Sequence, residues 1–108
     1  EYDYTIDTHT AVGKAVYDKY VAETGDETKT VIASTASPFK FNQSVLAALC
    51  GNAAIVGKTE FELLDELAKV SGMKIPKSLA ELKTKNRLFD IVCEKDEMRN
   101  IVNEFLNM

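Results

Sequence analysis

The sequence contains no tryptophan, one histidine, two cysteines and two prolines. Each scarcity excludes something. His9 has no second histidine and no nearby cysteine, so this chain cannot assemble a conventional zinc centre, and no Ser–His–Asp set can be argued from it. Cys50 and Cys93 stand far apart without metal or redox spacing, and read as reduced, buried thiols of a cytoplasmic protein. No apolar run approaches the roughly 20 residues needed to cross a bilayer, and no secretory pattern opens the chain. A basic excess is missing too: the net charge of −4 argues against a dedicated nucleic-acid binder. Neither GxGxxG nor GxxxxGKS occurs, so no known phosphate-cradling loop is present. There is no initiator methionine. The chain opens Glu1-Tyr2-Asp3, as a piece of a longer polypeptide would.

What is there fits one domain's worth of material: 108 residues, 45% hydrophobic and 28% charged. No internal repeat, low-complexity tract or long linker appears. Val12, Ala15, Val16 and Tyr20 recur at helical spacing, and predict a helix from Thr8 to Thr24 with Asp7 or Thr8 as cap and Gly25 past its end. After the polar turn "GDETK" comes "TVIAST", a short β-branched run that reads as a buried strand. Ser37-Pro38 then marks a helix start, with Phe41, Val45, Ala48 and Leu49 as its apolar stripe and Gly51 as its stop.

Thr59-Glu60-Phe61-Glu62 matches a capping box, with Leu63, Leu64, Leu67 and Ala68 on the buried side. Ser78-Leu79-Ala80-Glu81 repeats that pattern and predicts a shorter helix. Met98, Ile101, Val102, Phe105 and Leu106 mark the last helix, behind a cap at Asp96. Periodicity does not separate a strand from an irregular connection over "NRLFDIVCE", residues 86–94. The expected class is α/β: a helix-rich partial unit with one firm buried strand flanked by helices. A lone strand leaves its backbone groups unpaired, so the remaining strands are expected from a second copy or an absent segment.

The chemistry gathers at "STASP", Ser34 to Pro38. In open α/β sheets ligands bind beyond the carboxyl ends of strands, where loops enter helices. The helix start at Ser37-Pro38 and the charge of Lys40 suit an anion, and the hydroxyls of Ser34 and Thr35 suit a heteroatom. The plainer reading is that Ser37 only caps a helix, Thr35 packs in a sheet and Lys40 is solvated. Spacing alone favours that plainer reading. His9 has a pKa class suited to acid–base work, but reads first as a first-turn helix residue. The acidic clusters "GDET" and "CEKDE" read as turns and helix starts.

"IDTHTAVG" (Ile6 to Gly13), followed about twenty residues later by "STASPFKFNQSVLAAL" (Ser34 to Leu49), closely resembles the C-terminal region of threonine synthase. That family carries a D-P-H-[TSA]-A-V-like segment and then a T-A-H-P-A-K-F-like segment. The resemblance is good over residues 1 to about 50 and thinner beyond. Thr8 stands where the family usually has proline, and Ser37 where it usually has histidine, so no histidine role carries over to Ser37.

The resemblance implies an enzyme of the tryptophan-synthase-β-like class (fold type II). Such enzymes use pyridoxal 5′-phosphate (PLP) to turn O-phospho-L-homoserine and water into L-threonine and phosphate. It implies a hydroxyl on the pyridine nitrogen of PLP, by motif position Thr35, with Ser34 as second choice. Lys40 and His9 match the family's lysine and histidine; the place of Lys40 near a helix start suits it to the substrate phosphate, and His9 belongs only to the general neighbourhood of the site. The Schiff-base lysine belongs to an upstream S-F-K-D-like segment absent here, so no catalytic residue is assigned; Lys14, Lys40 and Lys58 lack that context. Residues 1–108 then form one C-terminal segment: 1–51 a helix–strand–helix part at the edge of the PLP site, and 52–108 a helical extension. The N-terminal remainder of the same enzyme is the expected partner, with self-association of the isolated segment. Neither PLP binding nor activity is expected of the segment alone. The alternative is a free-standing α/β module that binds a small anion or a protein partner.

Overall fold

The computed structural model describes residues 4–107. Helix α1, Thr8–Thr24, begins behind Asp7, whose carboxylate accepts from the backbone amides of His9 and Thr10. It ends at Gly25, whose φ of 67° is the left-handed conformation that favours glycine, and whose amide donates to the Val21 carbonyl. The sequence places both ends correctly. The apolar residues that signalled the helix do not pack inward: no residue of α1 is buried, and Val12 and Val16 are 65% and 61% exposed.

Ser37 accepts from the Phe39 amide and opens a 3-10 turn, Pro38–Phe41, which runs into α2, Asn42–Cys50. Helix α3, Glu60–Ser71, carries the expected capping box in full. The Thr59 hydroxyl accepts from the Glu62 amide, and the Glu62 carboxylate accepts from the Thr59 amide at 2.8 Å. The core lies where these elements meet. Phe39, Val45, Leu46, Leu63, Leu64 and Leu67 are buried there, with Phe41, Ile55, Phe61 and Met73 packed around them. Asn42 adds a polar tie by donating to the Glu60 carbonyl.

Helix α4, Lys77–Ala80, continues as a 3-10 turn over Glu81–Lys83, and α5, Met98–Phe105, follows an irregular stretch. The box expected at Ser78 does not form. Pro76 sits in the cap position and the helix starts at Lys77, so Ser78 is already inside the first turn, where its hydroxyl no longer faces the exposed amides. The cap expected at Asp96 is also absent: Glu97 precedes α5 without a side-chain bond to it, and its carboxylate instead accepts from the Glu94 amide. The apolar stripe of α5 exists but stays open, with Met98, Val102, Phe105 and Leu106 all more than half exposed. Cys50 is exposed and Cys93 half-buried, so the expectation of two buried thiols is not met.

The α/β expectation is overturned. Among the described residues there is no strand and no sheet; the elements are helical. "TVIAST" runs without a ladder, Val31 is 95% exposed, and residues 86–94 are irregular. The physical reason is that strand structure is a property of pairs. A β-branched run makes a strand only where a neighbour takes its backbone groups, and none is present among these residues. Side chains tie this run to the start of α1 instead: Ser34 donates to Asp7, and the Ile32 Cγ2 methyl lies 3.5 Å from where a β-carbon on Gly13 would sit. No helix among the described residues is long and apolar enough to cross a membrane.

The two look-alike boxes give a direct test. Thr59→Ala should cost about 1 kcal/mol of stability, the usual worth of a working cap, while Ser78→Ala should leave stability unchanged. Urea unfolding followed by circular dichroism distinguishes them.

Candidate functional site

The first motif segment supplies the start of α1, and the second supplies residues 34–41. One carboxylate joins them. Asp7 is only 1% exposed. Its Oδ1 accepts from the His9 amide at 2.9 Å and the Thr10 amide at 3.3 Å. Its Oδ2 accepts from Ser34 Oγ at 3.3 Å, across 27 residues, and from the Thr10 hydroxyl. The Thr10 and Ser34 hydroxyl oxygens are themselves 3.0 Å apart. A buried carboxylate is tolerated only when donors replace its water, and here four do so.

The acidity of Asp7 follows from that ring of donors. The Thr10 hydroxyl above all, then the Thr10 and His9 amides and the Ser34 hydroxyl, hold its pKa down from 3.8 to about 2 against the opposing effect of burial. It stays an anion throughout the physiological range.

His9 projects outward, with its ring largely exposed. Its Nδ1 lies 3.5 Å from Asp7 Oδ1, and its ring centroid lies 5.1 Å from that of Phe41, tilted by 59°. Phe41 closes the 3-10 turn inside the second motif, so His9 and that turn share one corner. Thr35 is exposed, and among the described residues its hydroxyl has no hydrogen-bond partner. Ser34 is engaged by Asp7 and Thr10. Lys40 is exposed on the 3-10 turn and borders a small groove of about 130 Å³ that runs toward α3, past Asn42 and Glu60. The structure therefore joins Ser34 to the α1 start and His9 to Phe41, and turns Lys40 toward a separate feature. Among the described residues no cluster of three or more His, Cys, Asp or Glu side chains could hold a metal.

Asp7 and Thr10 were not among the expected site residues. Asp7 read as a cap, and a D-x-x-T spacing that places a hydroxyl opposite its own cap was the available signal. The bond to Ser34 left no trace in either segment alone.

A family model described as threonine synthase, C-terminal, matches residues 10–102. This chain belongs to that family. No curated protein matches it significantly. Ser34, Thr35 and Lys40 lie inside the matched span, while Asp7 and His9 immediately precede it. Membership agrees with the expected threonine synthase origin and is consistent with fold type II of the PLP enzymes.

Because the folded-state pKa of Asp7 is lowered, its bonds stabilise the fold fully above the free value of 3.8, and that contribution fades as pH falls toward about 2. Acid unfolding should therefore steepen between pH 4 and 2. Asp7→Asn should flatten that interval in a pH series of thermal midpoints.

Proposed function

We propose that this chain is the C-terminal segment of a PLP-dependent threonine synthase, a carbon–oxygen lyase converting O-phospho-L-homoserine and water to L-threonine and phosphate, and that the segment is inactive alone. The family match over residues 10–102, which takes in the hydroxyl pair and Lys40, carries the reading. PLP, when bound, supplies the electron sink for this chemistry. The residues of this chain fit one wall of its site. Thr35 offers an exposed hydroxyl for the pyridine nitrogen, and Ser34, committed to Asp7, is the poorer choice. A neutral hydroxyl hydrogen-bonds that nitrogen without enforcing its protonation, which tempers the sink. Lys40 contributes an exposed positive charge suited to the substrate phosphate, and His9 lies at the neighbouring corner.

The partner in this reading is the preceding part of the same enzyme. Surface area supports a large partner. The chain exposes 9079 Å², where a compact monomer of its mass would expose about 6,000 Å². Its radius of gyration is 18.9 Å, against about 13 Å for a compact domain of this length. An excess of this size is in the range that obligate interfaces bury.

Combining the chain with the upstream polypeptide of its enzyme should produce phosphate release from O-phosphohomoserine that neither part shows alone. Thr35→Val should lower that activity about tenfold or more, the cost of an unmade buried hydrogen bond, with Ser34→Ala less severe. Phosphate release by the isolated chain would refute the proposal. By itself the chain should also self-associate through its open apolar faces, giving a weight-average mass above monomer that rises with concentration in sedimentation equilibrium.

A further inference from the structure

We infer that Asp7 is a positioning residue for Thr35, acting through Ser34. The inference rests on the reading of Thr35 as the coenzyme-facing hydroxyl. Capping α1 requires only one carboxylate oxygen, and Oδ1 performs that task with the His9 and Thr10 amides. Oδ2 is free of it and is spent on the Thr10 and Ser34 hydroxyls. An exposed cap would serve the helix equally well, yet Asp7 is buried, and its second oxygen reaches a segment 27 residues away.

Beyond Thr35 the first buried anchor is Pro38, three residues on, and before it there is little else to hold the segment. Residues 31–35 form no ladder, Val31 is exposed, and the Ile32 contact beside Gly13 lies three residues from Thr35. The bond at Ser34 is one residue away, and so restrains the backbone from which the Thr35 side chain leaves. The same carboxylate holds the His9 amide, so one group sets Thr35 and His9 relative to each other.

Ser34→Ala separates positioning from capping, because it removes the long-range bond and leaves Oδ1 on the helix. In this full chain, nuclear magnetic resonance relaxation should show Thr35 losing order, from the rigid range near 0.85 to below about 0.6, while helicity and the α1 signals stay unchanged. Ser34→Thr should restore the order, and Asp7→Asn should lose it. Unchanged Thr35 order in Ser34→Ala would overturn the inference, whatever cofactor the enzyme takes. In the enzyme assembled with its upstream part, Ser34→Ala should weaken PLP affinity several-fold, with Ser34→Thr restoring it. Loss of Thr35 order with PLP affinity unchanged would uphold the positioning and refute only the coenzyme contact.

Discussion

One buried carboxylate sets the geometry of the first half of this chain. Asp7 begins α1 and at the same time accepts from Ser34, so the two motif segments are tied at a single anion. The arrangement works because the group stays charged. An ionised carboxylate is acceptor-only and can take several donors at once, whereas a protonated one would have to place a proton among the same hydroxyls. Helix α1 buries no side chain of its own, so this polar junction and the approach of Ile32 to Gly13 locate it against the rest.

The second centre of stability is apolar and lies elsewhere. Six buried hydrophobic residues from the 3-10 turn, α2 and α3 form a core, and at its margins α1 carries exposed Val12, Val16 and Tyr20 while α5 has an open apolar stripe. At α5 these faces gather into a groove of about 320 Å³ among Phe89, Ile91, Ile101, Val102, Phe105 and Leu106, with Phe89 and Phe105 edge to face at 5.9 Å. Among the described residues the stripe of α5 is patterned for burial and left open. The site corner inherits that property: its polar junction is complete, while the surfaces around Thr35 and Lys40 are open.

What could be read from the sequence divides by range. Both ends of α1 were legible, because an aspartate cap and a left-handed glycine act within one turn. The Thr59–Glu62 box was legible for the same reason. Ser78 carried an identical pattern and misled, since Pro76 set the start two residues earlier than the box requires. "TVIAST" misled more seriously: β-branching states what a residue tolerates, and pairing depends on partners that its own sequence does not name. The stripe of α5 was read correctly as a stripe, but burial depends on what packs against it. The Asp7–Ser34 bond lay beyond reach, because nothing in a cap or in a serine specifies the other across 27 residues.

The two departures from the family pattern are instructive on the same physical grounds. Thr8 is the first residue of α1, the position where proline is favoured because no amide is needed there. Threonine in that place forfeits no hydrogen bond of the helix, so the start of α1 survives without the ring. Ser37, where the family usually has histidine, caps the 3-10 turn through the Phe39 amide. Its hydroxyl is committed to backbone geometry and offers no acid or base. Both substitutions therefore fall at positions whose local demand is conformational, and each is met by a small polar residue. The hydroxyls that answer to Asp7, by contrast, are required as donors to an anion, and no residue without a donor could take their place.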